Sequence, residues 1–211
     1  SLLTASDYYA TFDYMHNQSF TEKDWGLIDE PLRNHIFHAF ENSPGAPYNK
    51  GILYKKDEIL AYEEEALKEK SHANLNRLRL KMGAEVLQNV EALPDNRLFY
   101  IEAPTGGGKT NMSVVAIRKL LEQHPEINKV FYVFPFTTLI TQTALALKEA
   151  LGLDHAHLAQ VHAKAGMQTK DNGQENARYG KALRNQIDNL FVNFPFTLLT
   201  HVKFFDILKS N

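Results

Sequence analysis

Apolar and polar residues follow two rhythms along this chain, and the change falls after Pro94-Asp95-Asn96. Before it the spacing is helical. Leu2 to Met15 carries Tyr8, Tyr9, Phe12 and Tyr14 and reads as a helix with a buried face, while Thr21-Glu22-Lys23-Asp24 has capping-box spacing ahead of a second helix from Trp25 to Phe40. Asn42-Ser43-Pro44-Gly45-Ala46-Pro47 is a turn cluster that ends this segment and marks a boundary. From Lys56 to Val90, Ile59, Leu60, Leu67, Leu75, Leu78, Val86 and Leu87 recur among charges, which predicts more helix with a break near Ser71 to Asn74.

Beyond Asn96 short apolar runs alternate with helical patterns. Leu98-Phe99-Tyr100-Ile101 is predicted as a strand, followed by a glycine loop and a helix from about Thr110 to Gln123. A second strand, Val130 to Phe134, leads to a helix from Thr138 to Leu151, and Leu158 to His162 is a candidate third strand. Gly166 to Gly180 is polar and reads as a loop. A last strand-like run, Phe196 to Leu199, precedes an apolar helix from Val202 to Leu208. Strands alternating with helices of this length predict an α/β fold with a mostly parallel sheet covered on both faces, preceded by an all-helical region.

Composition narrows the function classes. With 44% hydrophobic and 23% charged residues in 211, a packed core is expected rather than disorder. The absence of cysteine excludes a disulfide framework and thiolate metal sites. A net charge of −2 gives no global basic footprint, so contact with nucleic acid must come from a local surface. No apolar run reaches the roughly 18 residues that span a bilayer, and Ser1-Leu2-Leu3-Thr4 lacks the charged start of a signal peptide. The expectation is a cytoplasmic protein without a membrane partner.

The chemistry concentrates at Ala103-Pro104-Thr105-Gly106-Gly107-Gly108-Lys109-Thr110, placed between a predicted strand and a predicted helix. Glycines let consecutive backbone amides turn inward without a Cβ clash, and together with the next helix N-terminus they form an anion cradle. Thr105, Gly106, Gly107, Gly108, Lys109 and Thr110 are the predicted nucleotide-binding residues. Lys109 is expected to reach the β and γ phosphates of ATP, and the Thr110 hydroxyl to ligate Mg²⁺; these two are the predicted catalytic residues.

This loop resembles motif I of superfamily-2 helicases. Pro135-Phe136-Thr137-Thr138-Leu139-Ile140-Thr141-Gln142 sits after the second strand where that superfamily places motif Ia, and Phe194-Pro195-Phe196-Thr197-Leu198-Leu199-Thr200-His201 resembles motif Ib. In wording the three look most like the CRISPR-associated helicase-nuclease of type I systems. Ser6-Asp7-Tyr8-Tyr9-Ala10-Thr11 is similar to the final helix of that family's HD nuclease domain, where the aspartate closes a site for divalent transition metal. Read alone, Asp7 is an exposed or capping aspartate, and no His-Asp dipeptide occurs in the chain.

The resemblance implies a partial RecA-like P-loop lobe. Residues 1–40 would be the tail of the HD domain, 41–96 a helical connector and 97–211 the first part of the motor lobe. It implies single-stranded DNA and the surveillance complex Cascade as partners, with Thr138, Gln142, Thr200 and Lys203 as backbone contacts; each of these is equally readable as a helix-capping or surface residue. No adjacent Asp-Glu pair follows Lys109, since Asp188 and Asp206 stand without a neighbouring Glu. The Mg²⁺-binding acidic box and the arginine finger are thus expected outside this stretch, which predicts ATP binding with very slow hydrolysis. Where the family often carries an adenine-reading glutamine, Asn74-Leu75-Asn76-Arg77-Leu78-Arg79-Leu80 has none, and Gln88 lies further on.

Other clusters read as structural. Glu63, Glu64 and Glu65 on a helix would point about 100° apart and converge on no ion. His155, His157 and His162, like His35 and His38, lack a familiar metal spacing. Two further functions stay open on the sequence: a P-loop small-molecule phosphotransferase, and a noncatalytic module whose helical N-terminal part docks a partner.

Overall fold

The computed structural model describes residues 6, 7, 9–11, 13, 14, 25–44, 48–63, 68, 70–161 and 193–209. The chain divides into two compact units, Ser1–Ile28 with Asn128–Ala144 and Asp154–Asn211, and Asp29–Ile127 with Leu145–Leu153.

The second of these units is helical. Its first helix, α1 (Glu30–Asn42), starts where the Asp29 carboxylate accepts the Leu32 N–H at 2.9 Å. The predicted box at Thr21 to Asp24 lies outside the described residues, and Trp25 to Asp29 is not α-helical. Pro31 in the first turn and the Asp29 cap fix the start instead. Leu32, Ile36 and Phe40, four residues apart, form its buried stripe. Two short helices follow, α2 (Asn49–Tyr54) and α3 (Lys56–Leu60), and then α4 (His72–Ala92), capped by Ser71, which accepts from the Asn74 N–H at 3.1 Å. The predicted single helix with a break near Ser71 is therefore interrupted earlier, from Ala61. Glu63 is exposed and not helical, so its solvation needs no helical-face argument; Glu64 and Glu65 lie outside the described residues.

The helix α5 (Lys109–Gln123) packs against α4 and buries Met112, Val114, Val115 and Leu121. A Cβ on Gly83 of α4 would come within 2.8 Å of Ile52 Cδ1, so the absent side chain lets α2 and α4 approach. Arg33 of α1 donates to the carbonyls of Leu121, in the last turn of α5, and of Pro125 and Ile127, just beyond it. Charges also tie the helices. Glu91 of α4 pairs with Lys56 and, at 3.0 Å, with Lys119 of α5; Glu122 meets Lys119 at 2.7 Å and Arg118 at 2.9 Å. Arg118 is buried with its guanidinium 4.5 Å from the Phe37 ring centroid.

The other unit holds a parallel sheet of three strands, β1 (Val130–Phe134), β2 (Leu158–Val161) and β3 (Phe196–Thr200), in the order β1-β3-β2. Tyr132 and Gln160 both face Leu198 in the register. The central strand is buried throughout except for Thr200, as expected of a strand with neighbours on both sides and cover on both faces. On the edge the expectation of full cover fails: Phe131 and Val133 of β1 keep 41% and 39% of their surface. The helix α6 (Thr138–Leu151) follows β1, and the division between the units falls within it; α7 (His201–Lys209) follows β3 directly. Phe204 and Ile207 of α7 pack on the cluster of Ala159, Val161 and Leu199, while Val202, Phe205 and Leu208 stay exposed.

Distant stretches complete this unit. Residues 6, 7, 9–11, 13 and 14 are helical, and buried Tyr9 stacks edge-on against Trp25 at 5.8 Å while its hydroxyl meets the Asn193 side-chain amide. Gly26, at φ +59°, lies where a Cβ would fall 2.1 Å from the Asn193 carbonyl oxygen, so only glycine fits.

One predicted strand is absent. Leu98 to Ile101 pairs with no strand among the described residues, and Leu98 and Tyr100 are 82% and 87% exposed. The Leu98 carbonyl accepts instead from the Asn96 side-chain amide at 2.7 Å. An apolar run becomes a strand only where its N–H and C=O groups find a neighbouring backbone, and here they do not. Among the described residues no helix is long and apolar enough to cross a membrane.

Candidate nucleotide site and nucleic-acid groove

The glycine loop turns sharply before α5. Gly106 and Gly108 have φ of +78° and +87°, a region that side chains disfavour, and the Gly107 N–H donates to the Pro104 carbonyl at 3.0 Å. A Cβ on Gly107 would lie 2.9 Å from that same oxygen, so the turn leaves no room for one. Each glycine is thus required, two by torsion and one by space.

The start of α5 differs from those of α1 and α4. Its N-cap is Gly108 and no side chain caps it, and unlike α1 it has no acidic residue in its first turn. The donors that Asp29 and Ser71 satisfy elsewhere are left for an anion, with the positive end of the helix behind them. Lys109 is exposed, and its ammonium donates to the carbonyls of Ala103 and, at 3.2 Å, Pro104. It is held against the loop by acceptors that a phosphate oxygen would outcompete. Thr110 is exposed beside it and Thr105 opens the turn. Glycine torsions, uncapped amides and a tethered lysine fit the phosphates of a nucleotide, with Thr110 able to offer its hydroxyl to the accompanying Mg²⁺.

Arg79 of α4 also reaches this loop. Its Nε and Nη2 donate to the Gly106 carbonyl at 3.0 and 2.8 Å, and its Nη1 donates to Asn76 Oδ1 at 3.2 Å. Both residues fall in the Asn74–Leu80 stretch, which holds no glutamine, and Arg79 meets the loop across 27 residues of sequence. Gln88 is exposed on α4.

In the sheet-bearing unit a groove of about 570 Å³ opens where β1 and β3 end, lined by Pro135, Phe136, Thr137, Thr138, Thr200, His201, Val202, Lys203 and Asp206. Adjacent parallel strands end at the same side, so the N-termini of α6 and α7 converge there, the usual place for ligands in open α/β sheets. Three of the four residues predicted to contact nucleic acid, Thr138, Thr200 and Lys203, line it together; Gln142, one turn further along α6, does not. Thr200 Oγ1 also accepts from the Lys203 N–H at 3.4 Å, so it caps α7. His201, the last residue of the segment that resembles motif Ib, and Asp206 also line it.

The remaining candidates fall elsewhere. Asp7 is helical and exposed, and no group of three or more His, Asp or Glu able to hold a metal exists among the described residues. His157 pairs with Asp154 at 2.9 Å. Burial pushes the Asp154 carboxyl up, but hydrogen bonds from Ala156 and His157 N–H groups and the histidine charges outweigh it and hold the group below its ordinary value. His35 bonds the Gly152 carbonyl at 2.8 Å, His38 is exposed, and His162 and the Gly166–Gly180 stretch lie outside the described residues.

No curated protein and no solved structure matches the chain. The family model of the DEAD/DEAH box helicases matches residues 84–210, which include the phosphate loop, β1 to β3 and both groove-lining segments. A helicase match of that extent displaces the phosphotransferase reading. With the phosphate loop and the partial RecA-like α/β fold, it makes this chain a member of the DEAD/DEAH box helicase family, the domain of an ATP-dependent superfamily-2 helicase.

Proposed function

We propose that the chain is part of a motor that binds Mg-ATP at residues 103–110 and the phosphate backbone of single-stranded DNA in the groove at Thr138, Thr200 and Lys203. The observation that carries it is the loop: two left-handed glycines and an uncapped helix start, with Lys109 held on the loop's own carbonyls. In this reading Lys109 would exchange the loop carbonyls for the phosphates, the loop amides would hold them, and Thr110 would offer its hydroxyl to Mg²⁺. Bound ATP supplies the free energy of hydrolysis. The residues of this chain would bind and orient it.

The groove suits a backbone rather than bases. One lysine, hydroxyls and helix N-termini contact phosphates without reading sequence, and Asp206 limits the positive charge. Coupling to DNA degradation in type I CRISPR interference, movement 3′ to 5′ and recruitment by Cascade rest on the resemblance of the three motifs. So do the division into 1–40, 41–96 and 97–211 and the role of Asp7 as one ligand of an HD-type transition-metal site completed by further residues.

Calorimetry with Mg-ATP on the chain and on Lys109→Ala tests the nucleotide site. A charge-assisted hydrogen bond is worth about 1.5–3 kcal/mol, so affinity is expected to fall roughly 10- to 100-fold in the variant. Equal binding by both proteins would remove Lys109 from the site, and binding by neither would place nucleotide affinity outside these residues.

A further inference from the structure

We infer that Arg79 is a positioning residue for nucleotide binding, holding the phosphate loop from α4 in its receptive conformation; the inference rests on the nucleotide reading above. The peptide unit joining Gly106 and Gly107 is gripped at both ends. Its N–H donates to the Pro104 carbonyl, and its C=O accepts two hydrogen bonds from Arg79. Because a peptide unit is planar, fixing both ends fixes its orientation, and with it the point from which the Gly107 and Gly108 torsions lead into α5.

Flanking glycines make such a grip necessary. Gly106 and Gly108 hold positive φ, yet a Cβ at Gly106 would meet nothing, so packing does not confine that residue. Glycine freedom otherwise spreads the loop over many conformations, and phosphate binding bears the entropy of ordering it. Arg79 supplies the missing restraint on two sides: its Cγ lies 3.7 Å from where a Gly108 Cβ would stand, and its head closes on Gly106. Asn76, one turn earlier, accepts from Nη1 and sets the plane of the guanidinium. Two N–H groups converging on one oxygen are a property of the arginine fork that a lysine ammonium on a flexible stem does not reproduce.

Two measurements on the 211-residue chain test this. In the ligand-free protein, hydrogen exchange at the Gly107 amide is expected to quicken about tenfold in Arg79→Ala, with core amides of α5 unchanged; unchanged exchange at Gly107 overturns the inference whether or not nucleotide binds. In calorimetry, Arg79→Ala and Arg79→Lys are both expected to weaken Mg-ATP and Mg-ADP by the same factor, about tenfold or ~1.4 kcal/mol, and Asn76→Ala by about half that energy. Lysine restoring wild-type affinity would make charge rather than the fork responsible. A loss confined to ATP would indicate direct contact with the terminal phosphate, and either result overturns the positioning role. Failure of the parent chain to bind nucleotide would count against the nucleotide reading, with the exchange result deciding on Arg79.

Discussion

The phosphate loop and the groove present phosphate-binding groups by different means. At the loop the receptor is backbone, bent within eight consecutive residues by glycines and held by one arginine from α4. At the groove it is a meeting of two helix starts, Thr138 after β1 and His201 after β3, whose sequence positions are far apart and become neighbours only because the strands pair in parallel. A local device tolerates changes in distant packing. An assembled one depends on the sheet that assembles it.

The largest expected effect sharpens that contrast. Phe196 is fully buried on the central strand, and Phe196→Ala should destabilise the sheet by about 3–5 kcal/mol, read from urea unfolding. Amide exchange in α5 should stay as in the parent; loss of protection in both places would erase the distinction between local and assembled sites. Gly108→Ala comes next. At φ +87° a Cβ costs about 1–2 kcal/mol, and Mg-ATP affinity should fall by roughly tenfold in calorimetry. Parent-like affinity would mean that the left-handed torsion is dispensable.

Smaller effects are expected at the groove and in the helical charge network. Lys203→Ala should lower the slope of log affinity against log salt for single-stranded DNA by about 0.7, whereas Gln142→Ala, outside the groove, should leave it unchanged. An equal change in both would argue against the groove as the contact surface. In the helical unit burial raises the Glu91 and Glu122 carboxyls, but lysines, joined at Glu122 by Arg118, outweigh it and hold both below the ordinary 4.5. A carboxyl depressed on folding adds stability above its unfolded value that is lost as pH falls through the folded one. Glu91→Gln should therefore flatten the acid side of the melting curve below about pH 4.5, modestly, because the pair is partly solvated. Burial lowers Lys119 and its two glutamates raise it further, so its share persists through neutral pH and is lost only above the ordinary 10.5. A steep acid limb that survives Glu91→Gln would shift the pH dependence to other groups.

How far the sequence could be read depended on where each element finds its partners. β1 and α6 fall on Val130–Phe134 and Thr138–Leu151 as the runs predict, and β3 and α7 differ by a residue or two, because long apolar runs and helical stripes carry their own period. Leu98 to Ile101 has the same apolar character and forms no strand, since pairing is a property of the neighbouring backbone. The capping spacing at Thr21 predicts a helix from Trp25, whereas Asp29-Glu30-Pro31, a cap followed by proline in the first turn, sets the start of α1. The grip of Arg79 on the loop is not legible in the sequence, because a contact across 27 residues leaves no local spacing.

By itself the sequence determined the loop, since φ-tolerant glycines, a lysine and an uncapped helix start are consecutive and act through their own backbone. It also determined which runs are apolar enough to become core. Only the tertiary structure decided that β3 lies between β1 and β2, that Thr138 and Lys203 share a groove while Gln142 does not, and that Arg79 grips Gly106. Those outcomes depend on which distant groups meet, and that is settled by burial and hydrogen-bond satisfaction summed over the whole unit rather than by any stretch of residues alone.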